Sequence, residues 1–484
     1  MTRGRFKKAL LILAICFIHS FTYAVLPPPS GLLCELLEKP ELTTIYTGQP
    51  SYSWEVNSSL EEDYQTAFRI LVSKDLTTLK NNRCDVWDSG KILSGQSLHI
   101  VHNGKTLEKG QTYYWKVKIW NKFNKESAWS SAQKIKTGSE FKPYFTETYP
   151  LQKSIDAAKR FLSKSNGIYF ADFGKASFGR IKLKLDGVDT IDSVEVHLGE
   201  AVIGNDSINR NPGGSIRYRK IKFTTEKGKS EYMVNIPPDK RNTSGEAILI
   251  PDSIGEVMPF RYAEIHLPAK YKLTASSIKR ITVTYPFNDN RYYFSSSDTL
   301  LNQVFELSKY SIKATSFLGK YVDGDRERIP YEADAYINQL SHYGVDKEFT
   351  IARATHEYLI KQPTWPTEWI LQSVLIAWND YLFTGNNESL KYYYQDLKNK
   401  TLYKIEREDG LISTKTGLVT DEILKSVYEK RIEDIVDWPP GERDGNEMNK
   451  VNTVINLFHY RAMHLMGKMA ETTGNIQDTF FFFN

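Results

Sequence analysis

The sequence predicts a multidomain chain of two all-β sandwiches followed by an all-α region built as an α/α toroid. Three observations carry this. At 484 residues the chain exceeds what a single hydrophobic core serves, so several domains are required. As far as Pro286, apolar and polar residues alternate in short stretches separated by turn residues. From Phe294 the apolar spacing becomes that of long helices joined by loops holding Pro363, Pro366, Gly385 and Pro439-Pro440.

Residues 1–24 read as a secretory signal. Arg3, Arg5, Lys7 and Lys8 precede an apolar run from Ala9 to Ile18, and Thr22-Tyr23-Ala24 offers small residues where a signal peptidase reads. The run is too short to span a bilayer as a helix, which needs about 20 residues. Ile15 before Cys16 argues against a lipoprotein site. The expected product is exported, periplasmic or extracellular after cleavage near Ala24, with no membrane span. Without the four basic residues of this leader the net charge of +5 falls to +1, giving no support to a nucleic-acid partner. Hydrophobic content of 40% and charged content of 25% exclude wholesale disorder. Aromatic content of 13% suits both sugar stacking and β-rich cores.

Residues 26–138 form the first expected sandwich, fibronectin-III-like. Its clearest strand is Tyr114–Trp120, with Trp115, Val117 and Ile119 on one face and Lys116 and Lys118 on the other. Cys34 and Cys84 could pair or remain free thiols. Residues 145–288 form the second, an accessory sandwich of jelly-roll type, with strand candidates at 168–173, 180–185, 193–198 and 261–267. The all-α region spans 292–484. Its first helix starts at Asp298 as N-cap, with Leu300, Val304, Leu307 and Tyr310 on one face. Further helices are expected at 331–343, 346–359, 369–383, 388–406 and 451–472.

The densest chemical signal lies between Asp323 and Asp334. Asp323, Asp325, Glu327, Glu332 and Asp334 share these positions with Arg326 and Arg328, and Pro330 is placed as the first residue of a helix. Such a cluster is either a solvated acidic helix start or an acid/base site. Crowded carboxyls raise one another's pKa while a nearby arginine holds another down, which is what glycoside hydrolysis requires. The nine histidines show no H-x-x-x-H or H-x-H pairing, so neither a metal site nor a cofactor is expected.

The segment DGDRERIPYEADAYINQL (323–340) resembles the catalytic signature of bacterial α-L-rhamnosidases, glycoside hydrolase family 78. TWPTEWILQS (364–373) and DIVDWPPGERDG (434–445) resemble the family as well. PSYSW, QTAFRILV, WDSGK and YYWKVKIW resemble its N-terminal module, and VHLGE and FRYAEI its accessory sandwich. The resemblance implies an (α/α)₆ barrel that inverts the anomeric centre while releasing terminal α-L-rhamnose from an oligo- or polysaccharide or a glycoside. By position Glu327 is the general acid, and Asp323 and Asp334 hold the sugar or tune that acid. Asp325, Arg328, Tyr331, Trp365, Trp369, Asp437 and Trp438 are substrate-binding candidates, each Trp reading equally well as packing between helices. Asp323 and Asp325 compete for one role, because the Asp-to-Glu spacing here is four. Tyr331 stands where many members carry Trp.

An inverting hydrolase needs a second carboxylate about 6.5–9.5 Å from the acid, and none is assignable. About 190 residues follow Phe294, roughly half of a twelve-helix barrel, and the sequence runs out through Phe480–Phe483. Four successive phenylalanines are exposed apolar chemistry, and they also match translation through a homopolymeric T tract. The expectation is therefore an incomplete toroid, a truncated product inactive alone. Alternatives are a short variant that binds sugar without cleaving it, a non-catalytic carbohydrate-binding protein made of the two sandwiches, and another α/α-toroid glycosidase or polysaccharide lyase.

Overall fold

The computed structural model describes residues 26–58 and 61–483, so the leader expected at 1–24 lies outside the described residues. The chain divides into two compact units on either side of Phe145. β-Sheet structure comes first and helices follow, as the change of periodicity predicts.

In the first unit β1 (Ser30–Cys34), β2 (Ser51–Glu55) and β6 (Ile100–Val101) form one sheet. β3 (Gln65–Ser73), β4 (Trp87–Asp88), β5 (Ile92–Leu93), β7 (Thr112–Asn121) and β8 (Gln133–Lys136) form the other, with a short helix α1 (Leu76–Lys80) after β3. Trp54, Phe68, Ile70, Trp115, Val117 and Ile119 fill the core. The buried indoles of Trp54 and Trp115 donate to Gln65 (2.9 Å) and Gln133 (2.7 Å), so burying those N–H groups leaves no unmet donor. Lys116, expected on the solvent face, is buried instead. Its ammonium donates to Asn82 at 2.6 Å and lies 4.9 Å from the Trp129 ring centre, an aromatic cover that alternation does not reveal. Cys34 and Cys84 are not joined in a disulfide.

The second unit opens with strands β9 (Gln152–Ala157), β10 (Arg160–Ser163), β11 (Ile168–Lys184), β12 (Ser193–Gly199), β13 (Val202–Ile203), β14 (Ser207–Ile208), β15 (Tyr218–Thr224), β16 (Glu231–Met233), β17 (Met258–His266) and β18 (Ile278–Thr284). Eight of them join in one antiparallel sheet whose main path runs β15-β12-β17-β11-β18-β9. β11 holds the sheet together, pairing with β17, β18, β10 and β16, and its register with β17 shifts between Asp172 and Ser177. Such an irregularity bends a long strand and lets the sheet wrap a core that includes Phe173, Leu183, Val196, Phe260 and Ile265.

The helices are α2 (Thr299–Thr315), α3 (Glu332–Tyr343), α4 (Thr350–Lys361), α5 (Thr367–Thr384), α6 (Glu388–Tyr392), α7 (Tyr394–Lys400), α8 (Asp421–Ser426), α9 (Thr453–Thr473) and α10 (Ile476–Phe483). Asp298 caps α2 as predicted, accepting from the Leu300 and Leu301 amides at 2.8 and 3.4 Å. Its apolar face is not buried, however: Leu300, Val304 and Leu307 are exposed among the described residues. α4 starts at Thr350 and not near 346, because the Glu348 carboxylate accepts from the Thr350 and Ile351 amides. The single helix expected at 388–406 is three short turns, broken at Tyr393 and again at Leu402, whose φ of +60° no helix accommodates. Pro330 precedes the helix it was expected to start. Tyr331 is the extended N-cap of α3, and Glu332 its first residue. The phenylalanine run is helical, and Phe482 is buried in the helical core with Ile370, Val374, Leu465 and Met466.

Candidate active site

The acidic segment forms a loop between α2 and α3, seated on the second sheet. Phe317 stacks on Phe178 of β11 at a centroid distance of 3.6 Å, and Val322, Val257 and Val283 close the same apolar seam. Gly324, with φ of +88°, lets the chain reverse so that the Asp323 amide meets the Ile329 carbonyl at 3.2 Å.

Within this loop the charges separate into an inner and an outer set. Asp325 and Arg328 point inward. Asp325 pairs with Arg217 at 2.6 Å and Arg328 at 2.9 Å, and Asn242 donates to its carboxylate at 3.1 Å. Arg328 also reaches Glu256 at 2.7 Å and the Val257 carbonyl at 2.8 Å. It is 1% exposed and adopts φ of +58°, a conformation that non-glycine residues hold only where their surroundings fix it. Arg328, expected to bind substrate, is thus enclosed and positions the loop from below. Asp325 is nearly enclosed too, and its side chain serves the same ion network. The partners Arg217, Asn242 and Glu256 come from loops between the strands of the second sheet, far away in sequence.

Asp323, Glu327 and Asp334 form the outer set. Arg326 bridges Asp323 (3.2 Å) and Glu327 (3.4 Å), and the Tyr331 hydroxyl donates to Glu327. Burial pushes the Asp323 carboxyl up, with Glu327 adding to the rise and Arg326 opposing it. Asp334 is also raised, first by burial and then by the neighbouring Asp323 charge. Asp323, Asp325 and Asp334 line a cavity of about 960 Å³, together with Glu200, Arg217 and Arg261 of the sheet and Tyr310 of α2. Glu200 was not singled out from the sequence. Its carboxyl is raised by burial, and its Oε2 accepts from the Arg217 amide at 2.7 Å.

The aromatic candidates divide as well. Tyr331 meets Trp369 edge-on at 5.5 Å, so Glu327, Tyr331 and Trp369 form one continuous row. Trp365 lies under the Arg431 guanidinium at 4.5 Å, and Asp437 and Trp438 are exposed on the loop after Glu433. Among the described residues, no hydrogen bond or ion pair joins that loop directly to Glu327. Two buried acids connect the segments instead. Glu332 accepts from the Thr364 amide at 3.2 Å and from its hydroxyl, tying α3 to the loop that carries Trp365. Glu368, 1% exposed, accepts from the Ile435 amide at 3.3 Å, while its Oε2 meets no hydrogen-bond partner among the described residues. Burial pushes Glu368 up to about 7, with the Asp434 charge a smaller contribution. Neither role was read from the sequence, where TWPTEW drew attention to its tryptophans.

Comparison with known proteins finds matches to two stretches of the chain. Residues 29–139 match the Rha78A-like, N-terminal immunoglobulin domain, and residues 289–482 the bacterial alpha-L-rhamnosidase 6 hairpin glycosidase domain. An alpha-L-rhamnosidase of Formosa agariphila is 38% identical over 94 residues, 19% of this chain and 10% of that relative's length. The alpha-L-rhamnosidase structure from Dictyoglumus thermophilum superposes with a TM-score of 0.68 at 14% identity, over 94% of this chain and 71% of its own. That of Streptomyces avermitilis, complexed with L-rhamnose, gives 0.65 at 10% identity, covering 94% and 76%. At such identities the superpositions establish the fold.

Proposed function

We propose, for a chain that carries a bacterial α-L-rhamnosidase six-hairpin domain behind a Rha78A-like immunoglobulin domain, that it hydrolyses terminal α-L-rhamnosides. The single observation that supports this most is the outer carboxyl group of Asp323, Glu327 and Asp334 beside an aromatic row and a cavity. Glycoside cleavage requires a carboxyl that stays protonated near neutral pH and others that stabilise positive charge at the sugar carbon. In this reading Glu327 gives its proton to the glycosidic oxygen, the C1–O bond breaks, and water attacks the opposite face, so the anomeric configuration inverts. Tyr331 orients the Glu327 carboxyl. Asp323 and Asp334, desolvated and adjacent, hold rhamnose hydroxyls. Trp369 extends the row from Tyr331, and Trp365, Asp437 and Trp438 approach the sugar from the neighbouring loops, outside the cavity. The water-activating base is assigned to none of the described residues. No cofactor enters the scheme. Among the described residues no helix is long and apolar enough to cross a membrane, and we place the product outside the cytoplasm on the strength of its basic and apolar leader sequence.

Incubation of the chain with 4-nitrophenyl α-L-rhamnoside tests the reading and sets it against the expectation above that the chain is inactive alone. The expected result is release of 4-nitrophenol and of the inverted anomer, seen first by proton NMR; on an alkyl α-L-rhamnoside, whose alkoxide is a poor leaving group, Glu327→Gln is expected to slow turnover at least about 100-fold, as for loss of a general acid. No release by the parent chain, or an unaffected Glu327→Gln variant, refutes it.

A further inference from the structure

On the outward face of the second sheet, β12 and β17 present the same pattern, Glu-x-His, side by side: Glu195-Val-His197 and Glu264-Ile-His266. The two strands are antiparallel, with His197 opposite Glu264 and Glu195 opposite His266. Residues two apart share a face of a strand, and directly opposed residues lie within about 5.5 Å. The four side chains therefore form a square with acid and imidazole alternating, while Val194, Val196, Ala263 and Ile265 fill the core behind them. His197 Nε2 meets Glu195 at 2.7 Å, His266 Nε2 meets Glu264 at 2.6 Å, and the rings are 4.8 Å apart.

We propose that Glu195, His197 and His266 bind a zinc-class divalent ion, with Glu264 as the adjoining donor, and that the ion clips β12 to β17. One ligand atom from each of the three lies within 4.8 Å of the others. Zinc–ligand bonds of about 2.0–2.2 Å place tetrahedral donors about 3.4 Å apart, so inward rotation of the longer side chains closes the set. Two imidazoles and a carboxylate form the borderline donor set that zinc favours over calcium or magnesium. The support around it has the form of a metal site. Tyr218 holds His197 Nδ1 at 2.7 Å, which fixes the ring and leaves Nε2 facing the square. His197 and Glu264 have side chains 5% exposed, while Glu195 and His266 are 20% and 33% exposed, so the square is open to an ion on one side. Lys220 contacts Glu195 at 2.8 Å, Lys222 at 3.3 Å, and Arg210 contacts Glu264 at 2.5 Å. These cations compete for the same carboxylates. An entering ion displaces Lys220, whose side chain is 46% exposed and free to return to water.

Calorimetric titration of the chelator-treated full chain with zinc chloride tests the proposal. One equivalent is expected to bind with a micromolar or tighter Kd. His197→Ala and His266→Ala each weaken it at least tenfold, whereas His464→Ala on α9 leaves it unchanged. Cobalt(II) in place of zinc is expected to give the visible absorption of a four-coordinate site, absent in both histidine variants. Glu195→Gln keeps the hydrogen-bonding shape and guards against misfolding, since it weakens binding without altering the circular dichroism. Absence of binding at 100 µM zinc, or equal binding by the parent chain and the His266→Ala variant, overturns the proposal.

Discussion

Replacing Glu368 by glutamine isolates a single buried carboxyl that fastens the tryptophan loop to the 433–437 segment. Glu368 is 1% exposed, and its Oε2 has no hydrogen-bond partner among the described residues. Its rise from the ordinary 4.5 to about 7 comes mainly from desolvation. At about 1.36 kcal/mol per pH unit this rise costs the folded chain about 3 kcal/mol once the group is ionised. Below the unfolded value of about 4.5 the carboxyl is protonated in both states, and the cost vanishes. Between that pH and about 7 the unfolded chain loses its proton first, so this group makes stability fall as pH rises. Above about 7 the cost is constant. Glutamine keeps the shape and carries no charge. Glu368→Gln is therefore expected to match the parent chain near pH 4.5 and to exceed it by up to about 3 kcal/mol at pH 8. Urea unfolding followed by helical circular dichroism at both pH values measures this. A stability difference that does not change between them refutes the assignment of an ionisation penalty to Glu368.

Two further outcomes follow from the acidic loop. Arg328→Ala leaves Asp325 and Glu256 buried without their shared partner and is expected to destabilise the second unit by about 3–5 kcal/mol, read as a lower urea midpoint. Asp323→Asn removes the like charge beside Asp334, so Asp334 should titrate at a lower pH while remaining raised by burial; carbon-detected NMR titration of Asp334 checks it, and an unmoved midpoint contradicts the coupling.

The sequence by itself determined the order of β and α regions, because residue alternation and helical spacing are written locally. Trp115, Val117 and Ile119 are buried where alternation places them, and Asp298 caps the helix it precedes. The acidic segment was legible as a dense run of charge whose pattern resembles a known signature. Only the tertiary structure decided which of those charges face outward. Asp325 and Arg328 stand within two residues of Asp323 or Glu327, yet Arg217, Asn242 and Glu256 draw the first pair inward. Those partners lie on segments about 70–110 positions earlier, so no local pattern encodes the pairing. Glu368 and the Glu-x-His square escaped for the same reason. A carboxyl's burial depends on what packs over it, and two histidines 69 residues apart in sequence stand side by side only when their strands pair. Periodicity reports what a residue prefers; the neighbours that fix its charge and its chemistry are supplied by the fold.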